Sequence, residues 1–246
     1  MNKEDLFYLP VRIGNVELKN PFIVASGPTV KRIDQMELAE KCGWAAASIK
    51  QAFNPYPYIN YQPRYRWLKK EKLHTFTAEY RLDYESGLRL VEEAKKKIKN
   101  MLVFANYSYV EEGLEGWQKS AKGFEAAGAD VLELNFCCPN MSFNVDVHTK
   151  PSQGERPSSG ASMGQDADAV RQVVKATREV TDLPIIAKIT PEGGKIAQVA
   201  RAAYEAGADA VCDVANRLGI PPIDVWSYKK SIYPLQGENT MGCLSG

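Results

Sequence analysis

Strands and helices alternate strictly along this chain, and that alternation limits the fold more than any other feature of the sequence. Short apolar runs of strand length are each followed by a longer run with helical periodicity. Two junctions repeat, Ala127-Gly128-Ala129-Asp130 and Ala206-Gly207-Ala208-Asp209, and each predicts a helix that ends in a left-handed glycine before a strand begins. Six strand–helix units of this kind predict parallel strands joined by crossover helices.

The individual elements follow from the same pattern. Residues 9–20 alternate apolar and polar around Gly14-Asn15, which predicts an N-terminal β-hairpin. The long stretch 54–82 exceeds an ordinary connection and is predicted to be functional, 141–164 is a second long polar loop, and a final loop runs to Gly246. The predicted strands are 21–28, 44–50, 101–107, 129–136, 184–191 and 208–215, and the predicted helices are 33–42, 85–100, 114–127, 166–181 and 195–206.

Polar side chains gather directly after the strands, whereas the strands themselves are predicted to be apolar on both faces, as a covered parallel sheet requires. A TIM (β/α)8 barrel places its active site at that end of the strands, so the layout favours a barrel. An open doubly wound sheet is the alternative, but no G-x-G-x-x-G follows the first strand. The polar residues are Ser26, Lys50, Asn106, Asn135, Cys138, Asn140, Lys188 and Asn216.

Composition excludes several classes of protein. The net charge of +1 gives the protein no strong overall positive potential that would attract nucleic acid or an anionic membrane. The five cysteines are an odd number without CxxC spacing, which predicts a reduced, intracellular chain with no metal site. The N-terminus lacks the apolar core of a signal peptide, and no apolar run approaches the roughly 20 residues of a membrane span. The expectation is a soluble cytoplasmic protein.

The stretch from Glu133 to Asn140 carries the strongest chemical signal. An apolar strand runs into Asn135, two cysteines and Pro139, and the proline ends the strand so that its polar residues are presented at the carboxyl end. Asparagine amides both donate and accept hydrogen bonds, which suits a flat heterocycle with N–H and C=O groups. A cysteine between them can exchange a proton with the bound ring. Cys137 points the other way on an extended chain and is predicted to pack in the core.

Several blocks of the chain, from Val11 to Gly246, carry a family resemblance. Taken together, they resemble the FMN-binding dihydroorotate dehydrogenase / dihydropyrimidine dehydrogenase family. Gly164-Gln165-Asp166 and the Thr190-Pro191 pair place the resemblance closer to the dihydropyrimidine dehydrogenase branch. The blocks are Ile13-Gly14, Leu18-Lys19-Asn20-Pro21-Phe22, Ala25-Ser26-Gly27-Pro28, Glu133-Leu134-Asn135, Cys138-Pro139-Asn140, Gly164-Gln165-Asp166, Ala187-Lys188-Ile189-Thr190-Pro191 and Gly242-Cys243-Leu244-Ser245-Gly246.

The resemblance implies a TIM barrel with FMN at its carboxyl face and a pyrimidine-like ring stacked on the flavin. It implies that Cys138 exchanges a proton with one substrate carbon while the neighbouring carbon exchanges hydride with flavin N5, and that Lys188 and Lys50 support this chemistry at the flavin's N1/O2 edge. The implied FMN-binding residues are Ala25, Ser26, Gly27, Lys50, Asn106, Lys188, Gly242, Ser245 and Gly246. The implied substrate-binding residues are Asn135, Asn140 and Asn216.

Two positions depart from the family pattern. Ala78 stands where the family has a fourth substrate asparagine, and Arg217 stands after Asn216 where the dihydropyrimidine branch has threonine. A guanidinium binds carboxylates in a two-pronged geometry, so Arg217 is predicted to bind a substrate that carries an anionic group.

Only six of the eight strand–helix units of a closed barrel are visible. The expectation is therefore one FMN-binding barrel domain over residues 1–246, truncated before strands seven and eight, or one half of a split barrel. An open sheet of six units would expose apolar edges and associate with a partner or with itself.

The predicted function is an FMN-dependent oxidoreductase that acts on the CH–CH bond of a dihydropyrimidine- or dihydroorotate-like cyclic amide. An electron-transfer partner subunit or a soluble acceptor is also predicted, because the chain has neither a nicotinamide fingerprint nor a CxxC cluster. One alternative is a Schiff-base lyase of the barrel-aldolase kind that uses Lys188. The other is a non-catalytic fragment or subunit without its own phosphate-binding half.

Overall fold

The elements of the protein follow the predicted alternation. The computed structural model describes residues 9–54, 65–69, 72–76, 81–109, 113–138, 160–213, 217–219, 226 and 242–244. The strands are β1 (Val11–Ile13), β2 (Val16–Leu18), β3 (Ile23–Val24), β4 (Ala46–Ser48), β5 (Ala52–Asn54), β6 (Tyr65–Leu68), β7 (Leu73–Phe76), β8 (Leu82–Asp83), β9 (Leu102–Tyr109), β10 (Val131–Asn135), β11 (Ile185–Lys188), β12 (Ala210–Cys212), β13 (Arg217–Gly219) and β14 (Gly242–Leu244). The helices are α1 (Ile33–Lys41), α2 (Tyr84–Lys97), α3 (Gly113–Ala126), α4 (Gly160–Met163), α5 (Ala167–Arg178) and α6 (Ile196–Glu205), with a 3-10 turn at Glu192–Gly194.

The parallel sheet decides between the barrel and the open sheet. Its strands lie in the order β3-β4-β9-β10-β11-β12, which is also their order along the chain, and every pair in this series is parallel. A doubly wound sheet reverses its strand order at a switch point, whereas a barrel adds each new strand on the same side. The sheet curls into a half-barrel, and the predicted partial TIM barrel is confirmed.

The five longer helices that the structure describes cover the outer face of this half-barrel. One large apolar cluster joins α1, α2, α3, α5 and α6 to alternate residues of the strands. Trp117 and Phe124 of α3 pack there against Tyr107 of β9, with ring centroids 5.6 and 5.3 Å away. Because side chains alternate between the two faces of a strand, the residues between these point into the barrel.

The inner face differs from the prediction that the strands are apolar on both sides. Its lower part is apolar, and the N-terminal hairpin β1–β2, which forms as predicted, contributes Leu18 to this layer. Above it the inward side chains are polar and buried, and they are Ser48, Asn106, Ser108, Glu133, Asn135 and Lys188. That prediction was wrong because the inner surface of this barrel is a polar site above a small apolar base.

A second sheet was not foreseen. β13, β14, β7 and β6 form an antiparallel sheet in that order, whereas the sequence predicts a long excursion over 54–82 and a loop at the end of the chain. The pairing of β7 with β14 joins Phe76 to Cys243, a contact between two distant parts of the chain that local sequence patterns do not reveal. β5 and β8 pair with each other, and β5 joins the parallel sheet through β9.

The two repeated junctions have the same structure. Gly128 and Gly207 have φ of +95° and +103°, so each helix ends in the predicted left-handed glycine. An aspartate lies two positions after each glycine, just before the next strand begins. Its side chain binds that strand to the neighbouring strand of the sheet. Asp130 Oδ2 accepts from the N–H of Val103, and Asp209 Oδ2 accepts from the N–H of Ile185, both at 2.8 Å.

Candidate active site

Most of the predicted site residues lie at the carboxyl ends of the parallel strands. The described ones are Ala25, Ser26, Gly27, Lys50, Asn106, Asn135, Cys138 and Lys188. Arg217 and Gly242 lie in β13 and β14, where Gly242 pairs with Gly219 and Arg217 with Leu244. The remaining ones lie outside the described residues, and they are Asn140, Asn216, Ser245 and Gly246, together with the departure noted at Ala78.

A buried carboxylate occupies the middle of the polar layer. Glu133 is only 5% exposed, and the register of β10 with β9 sets it beside Asn106. Its Oε2 accepts hydrogen bonds from the Ser48 hydroxyl and from the Asn106 amide. These donors offset part of the cost of burying a charge.

The Lys188 ammonium is the counter-charge of this carboxylate. Its Nζ lies 3.9 Å from Glu133 Oε1, and the residue is 7% exposed. Burial lowers the pKa of Lys188, but the attraction of Glu133 and of nearby cysteine sulfurs raises it by more, so the net pKa lies above its ordinary value. Lys188 is therefore a fixed positive charge facing the interior of the barrel.

Asn135 shapes the turn that carries the cysteines. Its side-chain oxygen accepts from the N–H groups of Cys137 and Cys138 at 3.1 and 2.9 Å, and its amide nitrogen donates to Asn106 at 3.0 Å. This side chain holds the turn after β10 in place, whereas the sequence predicts only a contact with substrate. The turn determines where the Cys138 sulfur points.

The Cys138 sulfur lies at the rim of the barrel. The residue is half-buried and belongs to neither apolar cluster. Its Sγ is contacted by the Arg81 guanidinium, with Nη2 at 2.9 Å and Nε at 3.2 Å. On the other side, its carbonyl oxygen accepts from the N–H of Ala161 in α4 at 3.1 Å.

Cys137 is buried, as predicted. Burial strongly raises the pKa of its thiol, which keeps it protonated. Its Sγ lies 3.4 Å from the side-chain oxygen of Asn135. The two adjacent cysteines thus differ in environment, and only Cys138 is both accessible and next to a cation.

Small residues line the rim beside the first parallel strand. Ala25 is exposed and Gly27 is half-buried just after β3, and a Cβ placed on Gly27 would meet only the carbonyl oxygen of Ala25, at 3.6 Å. Lys50 follows β4, and its N–H donates to the carbonyl oxygen of Val30 at 2.8 Å. This part of the rim is open to a planar ligand.

The Gly164-Gln165-Asp166 block has a structural explanation. A Cβ on Gly164 would collide with the carbonyl oxygen of Phe136, so only glycine lets α4 approach the end of β10 this closely. Gln165 Nε2 donates to the carbonyl oxygen of Ala161 at 3.0 Å, and Asp166 caps α5. The block therefore seats α4 against the cysteine turn.

Comparison with known proteins identifies the family. The family model described as dihydroorotate dehydrogenase matches residues 8–246. The chain belongs to the dihydroorotate dehydrogenase family. The family predicted from the sequence blocks is confirmed.

Curated relatives come from both branches of this dehydrogenase family. The NAD-dependent dihydropyrimidine dehydrogenase subunit PreA of Escherichia coli (strain K12) is 26% identical over 245 residues, which cover 97% of this chain and 55% of the relative. The chloroplastic dihydropyrimidine dehydrogenase (NADP(+)) of Arabidopsis thaliana is 27% identical over 252 residues, which cover 96% of this chain and 55% of the relative. The catalytic subunit of dihydroorotate dehydrogenase B (NAD(+)) of Desulforamulus reducens is 30% identical over 244 residues, which cover 97% of this chain and 70% of the relative. The chain thus spans about half the length of the dihydropyrimidine dehydrogenases that it matches.

Two important residues of this dehydrogenase-family site are not among the residues predicted from the sequence. Glu133 lies in a strand predicted to be apolar, although it is two residues from Asn135 and its side chain must therefore point to the same face of the strand. Arg81 precedes β8 in the stretch predicted as a loop, and no local pattern links it to Cys138, 57 positions further along the chain.

Neither a metal cluster nor a membrane helix is found in the part of the chain that the structure describes. No group of three or more His, Cys, Asp or Glu side chains there could hold a metal ion. No helix there has both the length and the apolar character needed to cross a bilayer.

Proposed function

We propose that this chain carries the catalytic face of an FMN-dependent oxidoreductase that acts on the CH–CH bond of a dihydropyrimidine- or dihydroorotate-like cyclic amide. The observation that carries the proposal is the half-buried Cys138 thiol at the barrel rim, held by Asn135 and Arg81 beside the buried Lys188 cation. The names of the family relatives support the reaction class.

The described residues fit a flavin. The turn Ala25-Ser26-Gly27 is small and accessible, so a flat ring can approach its backbone. Lys188 offers an ammonium held positive by Glu133, which would favour negative charge on a bound ring. When bound, FMN accepts or supplies the hydride of the reaction. We assign it to Ala25, Ser26, Gly27, Lys50, Asn106, Lys188, Gly242, Ser245 and Gly246.

The protein's own contribution is positioning and proton transfer. Cys138 accepts a proton from one substrate carbon in the oxidative direction and returns it in the reductive direction. We assign contacts with the substrate ring to Asn135, Asn140 and Asn216, and contact with an anionic substituent to Arg217. An electron-transfer partner subunit or a soluble acceptor completes the reaction, in keeping with relatives that are themselves named as subunits.

The raised pKa of Lys188 argues against the Schiff-base lyase. A lysine that forms a Schiff base must be a neutral amine, and burial beside other cations produces this by lowering its pKa. Here Glu133 acts in the opposite direction. The lyase would give a colourless protein that borohydride traps on its carbonyl substrate, and the dehydrogenase would give the visible absorption of a flavin.

The test of the proposal is replacement of Cys138 by alanine. Because the side chain is assigned to proton transfer and not to cofactor binding, Cys138→Ala should retain flavin, as judged by the visible spectrum, yet oxidise dihydropyrimidine or dihydroorotate about 100-fold more slowly with an artificial dye as acceptor. Cys42→Ala is the matched control, because Cys42 is an exposed cysteine in the structure. A Cys138→Ala variant that keeps the native rate would remove the assignment.

A further inference from the structure

A buried arginine contacts the reactive sulfur. Arg81 is 2% exposed, and two nitrogens of its guanidinium donate to Cys138 Sγ at 2.9 and 3.2 Å. Arginine has donors but no acceptor, so the sulfur receives these hydrogen bonds and cannot return its own proton to Arg81. Two donors from a cation suit an ionised sulfur better than a neutral thiol.

The guanidinium is itself held by a chain of buried side chains. Its single Nε–H is shared between Cys138 Sγ and Gln51 Oε1, the latter at 3.1 Å, and Gln51 Nε2 donates to the Ser108 hydroxyl at 2.8 Å. That hydroxyl donates to the carbonyl oxygen of Asn135 at 2.7 Å, and the Asn135 side chain accepts from the N–H of Cys138. The hydrogen bonds therefore lead from the sulfur back to the backbone of the same residue, which fixes both ends of the cysteine.

The other titratable groups on this side of the rim do not replace Arg81. Among the described residues they include Cys137 in the same turn, Cys212 at the end of β12, Lys188 with Glu133 on the strands below, and Lys50 on the rim after β4. The charge of Lys188 faces Glu133. Arg81 is the cation that donates hydrogen bonds directly to Cys138.

We propose that Arg81 is a positioning residue that aims the Cys138 sulfur at the substrate carbon and stabilises the negative charge that the sulfur carries when it acts as the base. The inference rests on the proposed function and deepens it. The thiol proton leaves to solvent, and the thiolate then takes a proton from the substrate as the C–H bond breaks and the S–H bond forms. Arg81 therefore favours the oxidative direction, because reduction requires the sulfur to be protonated against the nearby guanidinium.

The test is alkylation of Cys138 by iodoacetamide, in which the thiolate displaces iodide and forms a carbon–sulfur bond. Tandem mass spectrometry of the peptide that contains Cys138 follows the rate in the native chain and in Arg81→Met, Arg81→Lys and Arg89→Met. We expect Arg81→Met to react about tenfold more slowly at pH 7, and the difference to close above about pH 10, where a thiol ionises unaided. Arg81→Lys keeps the positive charge but replaces the two-pronged guanidinium by a single ammonium. The alkylation rate of this variant should therefore lie between the rates of the native chain and of Arg81→Met. Arg89, exposed on α2, is the matched control and should match the native rate.

Equal alkylation rates and pH profiles in the native chain and Arg81→Met would overturn the proposal. If circular dichroism shows that Arg81→Met does not fold, Arg81→Lys decides, and a native rate in that variant overturns the proposal as well. Failure of the proposed function has a different signature. The chain would then bind no flavin and oxidise no dihydropyrimidine, while alkylation of Cys138 would still depend on Arg81.

Discussion

Glu133 shows how a single residue organises the interior of the barrel. A carboxylate buried to this degree is costly unless it is paired and hydrogen-bonded, and Glu133 has donors from Ser48 and Asn106 and a counter-charge in Lys188. These partners come from β4, β9 and β11, so one carboxylate links three other strands of the parallel sheet to its own strand. The same carboxylate keeps Lys188 positive where a flavin ring is assigned.

Replacing Glu133 by glutamine should destabilise the fold by about 3–5 kcal/mol, because it leaves the Lys188 charge buried without its partner. Urea unfolding at pH 7 measures the loss. In the double variant Glu133→Gln/Lys188→Met neither charge remains, so its cost should fall below the sum of the two single costs by about 1 kcal/mol or more. Strict additivity of the two changes would show that the pair at 3.9 Å is not coupled.

At this scale the sequence indicates Cys138 and Lys188 as candidate site residues, but not the side chains that hold them in place. Cys138 and Lys188 stand out because they follow strands within recognisable blocks. Arg81 and Gln51 do not stand out, because their role depends on a contact between the chain before β8 and the turn after β10. A contact over such a distance in sequence has no local signature.

At the scale of elements, the repeated Ala-Gly-Ala-Asp junction binds two neighbouring strands together through hydrogen bonds of its aspartate. Asp130 accepts from the Val103 N–H and pairs with Lys95 at 2.7 Å, and Asp209 accepts from the Ile185 N–H and pairs with Arg178 at 2.6 Å. Each aspartate also donates its own N–H back to the strand that it fastens. The repeat thus sets the register of two separate strand pairs in the same way.

Asp130→Asn and Asp209→Asn should each cost about 1.5–3 kcal/mol of unfolding free energy, the range for hydrogen bonds that involve a charged group. The asparagine amide loses the charge that attracts the basic partner, and it presents donors where only acceptors fit. Glu93→Gln provides the control, because Glu93 pairs with Lys97 on an exposed helix face and should change stability by less than about 0.5 kcal/mol. If the two junction variants lose no more unfolding free energy than this control, the hydrogen bonds of the junction aspartates do not stabilise the fold.

The sequence predicted the regular elements of the half-barrel because their signals are local. Each parallel strand and each crossover helix has its own periodicity, and each junction has its own glycine. The antiparallel sheet of β6, β7, β13 and β14 has no such signal, because it forms between stretches far apart in the chain. Pairing of this kind is decided by tertiary packing.

At the scale of the whole molecule, the parallel sheet lies between two layers. An apolar core fills the space between its outer face and the helices, and polar side chains lie on its inner face. Helices bury the outer face in one continuous core, and the hairpin closes the lower end with a small apolar layer. The titratable groups that the fold buries therefore lie on both sides of the sheet. Tyr107 belongs to the outer core, and Cys137 and Lys188 lie at the site.

These three groups make the molecule sensitive to alkali. Burial raises the pKa values of Tyr107 and Cys137. At Lys188 burial lowers the pKa, but the combined attraction of Glu133 and nearby cysteine sulfurs outweighs burial, so the net pKa is raised. In each case the native state keeps a proton that the unfolded chain releases at a lower pH. Stability is therefore fully present below the unfolded pKa values, which begin at about 8.5 for cysteine, and it falls as the pH rises above them.

The slope of this loss can be assigned to individual groups. Each contributes up to about 1.4 kcal/mol per pH unit above its unfolded pKa, so the unfolding free energy of the native chain should fall progressively more steeply between about pH 8.5 and 11. Tyr107→Phe keeps the packing against Trp117 and Phe124 but has no proton to lose, so urea unfolding of this variant should fall less steeply above about pH 10. Tyr204→Phe, at a residue that is 74% exposed, should leave the native slope unchanged. An identical slope in all three proteins would mean that the protonation of Tyr107 is not linked to folding, and the alkaline loss would then have to come from the groups at the site.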